Sequence, residues 1–424
     1  MELIVLLLSL LGLLAIRVPV AFALLISSML VFALLGLNPL IAVQRLSAGI
    51  DVFTLMAIPF FVFAGDLMTQ TGIAARLIRV AEGLFGRVRG GLGHVNVGAS
   101  MMFGAVSGSA VASVSAIGST MIPIMEEKGY DRDFSVNVTC SAAVLGLIIP
   151  PSHNMIIYAA AAGVSISIGD LFVAGILPGI LCGLALMVAV SILARIKGYS
   201  KGVFPGFKAF ILSAIGALPG LLTAVIIVVG ILGGVFTPTE SSAVAIVYTL
   251  VIGVFVYRSL GLTEFKAAVV SSAKTTAMIM LIIGSAAAFG WLLALLEAPL
   301  MMSQLILGAT DSPIVILALV LLCLLVLGTF MDMAPLIIIV TPIFLPVVQS
   351  IGVDPVHFGI IMMLALGIGT ITPPVGTVLF VGSAVGKIRM EDTVKTMWPF
   401  YLALILCLIV ITYVPQISLF LVGG

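Results

Sequence analysis

Charge is what this sequence has least of. Of its 424 residues, 18 are Lys or Arg and 17 are Asp or Glu, 8% in all with a net charge of +1, while 62% are apolar. A soluble domain carries about 25% charged and about 45–50% apolar residues. Too few polar side chains exist here to clothe a water-facing surface, so a water-soluble fold is excluded. The missing charge also removes any electrostatic footprint for nucleic acid. Cys140, Cys182, Cys323 and Cys407 lie inside apolar runs without paired spacing, which speaks against disulfides and zinc sites. With three histidines and no Walker A sequence, nothing points to a haem bundle, an ATPase or any other enzyme. The N-terminus does not read as a cleavable signal peptide, because its first charge is Glu2 and no A-x-A site follows the apolar stretch.

What is present is a series of long apolar runs, not the short alternating segments of a β-barrel. The class is an all-α polytopic membrane protein with the lipid bilayer as its solvent. Spans are expected at 3–16, 18–37, 50–68, 134–162, 171–194, 210–233, 241–257, 275–296, 357–386 and 397–420. Two other stretches, 92–125 and 312–348, break at polar tips, Ser107-Gly108-Ser109 and Asp332-Met333-Ala334-Pro335. Each arm of roughly 16 residues covers about 24 Å, short of a ~30 Å hydrocarbon core, which predicts re-entrant hairpins; two tilted spans each is the alternative.

Basic residues concentrate in alternate loops. Segments 70–91, 126–133, 195–208, 258–274 and 387–395 hold nearly all of them, whereas 163–170, 234–240, 297–311 and 349–356 hold none. The positive-inside rule puts the first set in the cytoplasm and the C-terminus outside. Loop 38–49, also expected outside, carries one stray charge, Arg45.

The two halves match at an offset of 223 residues. Pro123 meets Pro346, Gly129 Gly352, Asp131 Asp354, Gly146 Gly369, Pro150-Pro151 Pro373-Pro374, and Gly163 Gly386; the same offset carries Ser109 onto Asp332. With the topology above, residues 1–197 and 209–424 read as inverted repeats, each with scaffold helices, a hairpin (92–125, 312–348) and a broken helix (134–162, 357–386), a plan used by many secondary transporters.

Paired prolines interrupt a helix. Irregular backbone at membrane depth survives where it lines a cavity or is packed in protein, and its free carbonyls suit a hard cation. Ser107 and Ser109 add hydroxyls in the first half; Thr329, Asp332, Thr370, Thr372 and Thr377 add oxygens in the second. Each feature has a plainer reading: the prolines as a kink, the serines as small packing residues, Asp332 as an N-cap. Asp332 is the acid set deepest in an apolar run, and intramembrane acids default to function. Asp66, near the end of its span, reads as interfacial, as does His94. His153-Asn154 reads either as substrate contact or as a supporting pair.

The stretches GAVSGSAVASVSAIGSTMIP, LGLIIPPS, FTPTESSA, GTFMDMAP, TPIFLPVV and GIGTITPPVGTVLF resemble the large membrane subunit of tripartite ATP-independent periplasmic (TRAP) transporters, the DctM family. The resemblance implies an elevator-type, sodium-coupled importer in the inner membrane. Its cargo would be an organic acid anion (dicarboxylate, sialic acid or sugar acid) delivered by a periplasmic solute-binding protein. A small membrane subunit of about four helices is the second implied partner, and Na⁺ serves as coupling ion with no other cofactor. Carried over, one sodium site uses Ser107, Gly108, Ser109, Gly146, Ile149 and Pro150. The other uses Thr329, Asp332, Gly369, Thr370 and Thr372. The substrate would meet Ser152, His153, Asn154, Pro374 and Thr377. Where relatives of that family read Pro-Pro-Ser-Ile-Pro, residues 150–154 read Pro-Pro-Ser-His-Asn, which bears on substrate choice. Two other functions would share such a chain: a stand-alone carboxylate carrier, or a proton-translocating subunit of a respiratory complex. The second needs a chain of ionisable groups at mid-membrane.

Overall fold

Runs this apolar can satisfy their backbone in lipid only as helices, and the computed structural model is helical throughout the residues it describes, 1–424 without 17, 203, 205, 299–300, 302–307, 309, 311 and 423–424. One isolated bridge, Arg89 to Lys201, is the β pairing found among them. Seven helices are long and apolar enough to cross a membrane, among the described residues, and four shorter apolar helices accompany them.

The first half opens with α1 (Glu2–Ala15), α2 (Val20–Leu34), α3 (Pro39–Ile50), α4 (Ala57–Gln70) and α5 (Ile73–Phe85). Two of these correct the sequence reading. Segment 38–49, expected as a loop, is α3: Asn38 caps it by accepting from the Leu40 N–H at 2.9 Å, and Pro39 fits the first turn. Its stray charge rests on an aromatic ring, the Arg45 guanidinium lying 5.0 Å from the Trp291 ring centroid. Segment 70–91, also expected as a loop, contains α5. Ile73, Leu77, Ile78 and Ala81 form its buried face, and Arg79 projects outward, an amphipathic pattern that a search for unbroken apolar runs passes over.

Next come α6 (Gly91–Ser107) and a return arm made of α7 (Ala110–Ser113), a π-turn (Val114–Gly118) and α8 (Ser119–Glu127). The Pro-Pro helix follows as α9 (Arg132–Ala143), a 3₁₀ turn (Val144–Leu147), an irregular stretch and α10 (His153–Ala161), then the long α11 (Ile168–Ile196).

The second half holds α12 (Phe207–Leu232), α13 (Pro238–Val251) and α14 (Leu262–Leu295). Glu240 closes a capping box with Thr237 at the start of α13, as an N-terminal acid should. The third correction concerns 258–274. Most of it is helix, because α14 is continuous over 34 residues, about 51 Å at ~1.5 Å per residue. Then come α15 (Pro313–Gly328) and α16 (Met333–Ser350), the second Pro-Pro helix as α17 (Pro355–Thr370) and α18 (Thr377–Val385), and finally α19 (Met390–Tyr413) and the short α20 (Gln416–Leu419). The outside loop expected at 297–311 falls mostly outside the described residues.

Two cores organise the molecule. The larger surrounds α9 and α17, in which every residue of Phe134–Ala143 and of His357–Thr370 is buried. Helix α17 is apolar nearly all round, as suits such a place, and the buried polar side chains of α9, Ser135, Asn137 and Thr139, are hydrogen-bonded there. The smaller joins α1, α2 and α3 to one end of α14 through Leu6, Leu24, Phe32 and Phe289. The remaining apolar surface faces outward, as on Leu11, Phe22, Val229 and Phe255, where lipid would cover it.

Candidate functional site

Each helix–tip–helix unit meets its neighbouring broken helix through glycines. In the first half a Cβ on Gly104 would stand 2.4 Å from the Gly146 Cα; in the second a Cβ on Gly369 would stand 2.5 Å from the Gly328 Cα. Real side-chain atoms do not approach so closely, so these are backbone-on-backbone crossings that only glycine permits. They hold each tip against the corresponding break.

At the first tip Gly108 has φ +61° and faces the Pro151 carbonyl, which a Cβ would approach to 2.7 Å. Ser109 begins the return arm and its Oγ accepts from the Ala112 N–H at 3.3 Å, an N-cap bond. At the second tip Asp332 holds the same place before α16, but its side chain makes no cap bond. It accepts instead from the Thr377 hydroxyl, at 3.4 Å, across the break. The Thr329 carbonyl accepts from the Val375 N–H at 3.1 Å, and the Tyr401 hydroxyl donates to the Ile371 carbonyl at 2.6 Å. Thr370 and Thr372 donate to the Gly367 and Ile368 carbonyls, both at 2.7 Å. Both Pro-Pro bonds, Pro150-Pro151 and Pro373-Pro374, are cis.

Tips and breaks open on one cleft of about 470 Å³. Of the expected site residues, Ser107, Ser109, His153, Asn154, Asp332 and Thr370 line it. Gly108, Gly146, Ile149, Pro150, Thr329, Gly369 and Thr372 lie in the tips and turns behind that lining. Ser152 is fully buried with an unpaired hydroxyl, and Pro374 lies exposed on the break. The donors gathered here are hydroxyls, carbonyls and carboxylates, an all-oxygen set that fits a hard monovalent or divalent cation and not a soft metal. No cluster of three or more His, Cys, Asp or Glu occurs among the described residues.

Asp332, the acid set deepest in an apolar run, lines the cleft with its side chain open to it. Asp66, read from the sequence as interfacial, lines the same cleft, and its Oδ2 is buried without a partner. Helix α4 runs past the first tip so closely that a Cβ on its Gly65 would stand 3.1 Å from the Ser107 carbonyl oxygen, which carries Asp66 inward. Sequence reasoning also missed the opposite wall, where Ser271, Thr275, Met278, Ile279 and Ile282 of α14 face the cleft. The signal was the i, i+4 pair of hydroxyls in an apolar helix.

A family model described as "Tripartite ATP-independent periplasmic transporter, DctM component" matches residues 7–417. The C4-dicarboxylate TRAP transporter large permease protein DctM of Pseudomonas aeruginosa is 43% identical over 87% of the chain and 86% of its own length. The isethionate TRAP transporter permease protein DctMQ of Oleidesulfovibrio alaskensis is 40% identical over 97% of the chain, which spans 65% of that protein. In fold, the chain is similar to the crystal structure of the Alcanivorax borkumensis YdaH transporter, with a TM-score of 0.58 at 14% identity, covering 88% of this chain and 86% of the other.

Proposed function

The chain belongs to the DctM component family of tripartite ATP-independent periplasmic transporters, and from that premise we propose that it is the permease that carries an organic acid anion inward through the inner membrane on a sodium gradient. The observation that carries the reading is the shared cleft on which both tips and both breaks converge. Its oxygen donors can hold Na⁺ near the tips, and the bound cations supply positive charge that the cleft's own side chains lack.

The binding geometry follows from the chain's residues. In the first site the Ser107 and Ser109 hydroxyls and the Gly146–Pro150 turn would surround one Na⁺. In the second, Asp332 with Thr329, Thr370, Thr372 and the Gly369 carbonyl would surround another. The anion would then bind beside them, near His153, Asn154 and Thr377. The halves are read as inverted repeats, so the tips approach the cleft from opposite sides, and movement of the hairpin-bearing core against α4 and α14 would expose it to each side in turn, as an elevator. A small membrane subunit and a periplasmic solute-binding protein complete the transporter, and the C-terminus faces the periplasm.

Reconstituted vesicles test this. With the small subunit and the solute-binding protein present, an inward sodium gradient should drive uptake and an equal potassium gradient should not. Equal uptake on potassium with a pH gradient would rule out sodium coupling. Full-rate transport by the isolated chain would favour the stand-alone carrier.

A further inference from the structure

The charges facing the cleft are unbalanced for a site that takes an anion. Asp66 and Asp332 both line it, and no Lys or Arg does among the described residues. A substrate with two carboxylates wants a cation at each end. Here one end can lie beside sodium ions at the tips, while the other would meet the Asp66 carboxylate on α4, whose Oδ2 is buried and unpaired. That is a like-charge contact in a partly desolvated site. The neutral polar groups tell the complementary story. Gln70, Ser115, Asn154 and Thr275 line the same cleft, and none has a side-chain hydrogen bond among those found in the structure. Such groups, with a carboxylate oxygen, Asp66 Oδ2, that is buried, unpaired and can only accept, match the hydroxyls of a polyol.

We infer that Asp66 makes the cleft selective for singly charged polyhydroxy acids, sugar-acid monoanions, over dicarboxylates. The carboxylate of the substrate lies beside the sodium-bearing tips, and hydroxyls along its chain donate to Asp66. This rests on the transport reading above and adds the class of substrate. A site built to accept hydroxyl hydrogen bonds rejects an analogue lacking them, because its buried acceptor is left unpaired.

The test uses the purified full-length chain in nanodiscs, with binding read as a shift in melting temperature against acid concentration. Gluconate and 2-ketogluconate are compared with succinate and malate in sodium and in potassium at matched ionic strength. The expected result is sodium-dependent binding of the sugar acids at least about tenfold tighter than of the diacids, the scale of a single like-charge contact. In Asp66→Asn the gap should narrow by about tenfold through a gain for succinate, while Asp66→Glu, which keeps the charge, should preserve the order. Succinate binding to the unmodified chain as tightly as gluconate overturns the inference and leaves the transport reading intact, as does an unchanged ratio in a folded Asp66→Asn. If Asp66→Asn does not fold, the comparison on the unmodified chain still decides. Binding of every acid equally in sodium and potassium, or of none, overturns the transport reading and this inference with it.

Discussion

Gly104 and Gly146 cross with their backbones in contact: a Cβ built on the first would stand 2.4 Å from the Cα of the second, and one built on Gly146 would stand 2.9 Å from the Cα of Gly104. Both neighbours are backbone, so neither can swing aside as a side chain would. The contact sets how far the first tip reaches toward the break at Pro150-Pro151.

Gly104→Ala is expected to force these helices apart, at the ~1–3 kcal/mol typical of overpacking. The purified variant should melt at lower temperature, and sodium should protect it less. Gly12→Ala, at a glycine with open space around its Cβ position, serves as control and should melt like the unmodified chain. Equal melting of all three would show that the crossing is looser than described.

Asp332→Asn keeps the shape of the second tip and an acceptor for the Thr377 hydroxyl, but loses the charge. The sodium concentration for half-maximal uptake should rise about tenfold, a loss of roughly 1.4 kcal/mol in cation binding. Ser109→Ala should raise it less, since neighbouring carbonyls remain. Uptake against sodium concentration at matched expression measures both, and unchanged half-saturation and maximal rate in Asp332→Asn would reduce the aspartate to a helix start.

Asp131, between α8 and α9, joins the end of α11: its Oδ2 accepts from Lys197 at 2.5 Å and from the Tyr199 hydroxyl at 2.9 Å. The Lys197 hydrogen bond, ahead of that from Tyr199, holds this carboxyl below the ordinary aspartate value of 3.8. Because the folded pKa is the lower one, the stabilisation is complete above that ordinary value and is lost as pH falls through the depressed one. The side chain is 53% exposed, so the contribution is under about 1 kcal/mol. Asp131→Asn should lower the melting temperature slightly at pH 7, and the difference should shrink steadily as pH falls below the ordinary aspartate value. A difference that stays constant over that fall would mean that packing, not charge, is at stake.

The distribution of Lys and Arg predicts an orientation for the chain. An alkaline phosphatase fused after Val422 should be active in cells, and one fused after Lys128 inactive. The opposite pattern would invert the whole topology.

The tips and breaks were legible because their residues cannot do otherwise. Paired prolines stop a helix, and Ser-Gly-Ser and Gly-Thr-Phe-Met-Asp interrupt apolar runs. Helices α3 and α5 were not legible as helices, because polar residues such as Gln44, Arg45, Arg76 and Arg79 interrupt their apolar ones and no continuous run marks them. That Asp66 lines the cleft was not legible for a related reason. Its depth was counted along its own helix, whereas its setting depends on the crossing of Gly65 with Ser107, a contact between distant parts of the chain. The α14 wall likewise became visible only once that helix proved continuous through its basic N-terminal turns.

That continuity has a mechanical meaning. Helix α14 holds no proline; near its middle it presents Ser271, Thr275 and Ile279 to the cleft, and toward its far end Ala286, Phe289 and Leu293 bind it into the layer formed with α1 to α3. One stiff rod therefore serves as both wall and anchor. The position of the cleft wall is thus tied to an outer layer some 20 Å away, at ~1.5 Å for each of the intervening residues, so a change imposed on α1 to α3 bears on the cleft through a single unbroken helix.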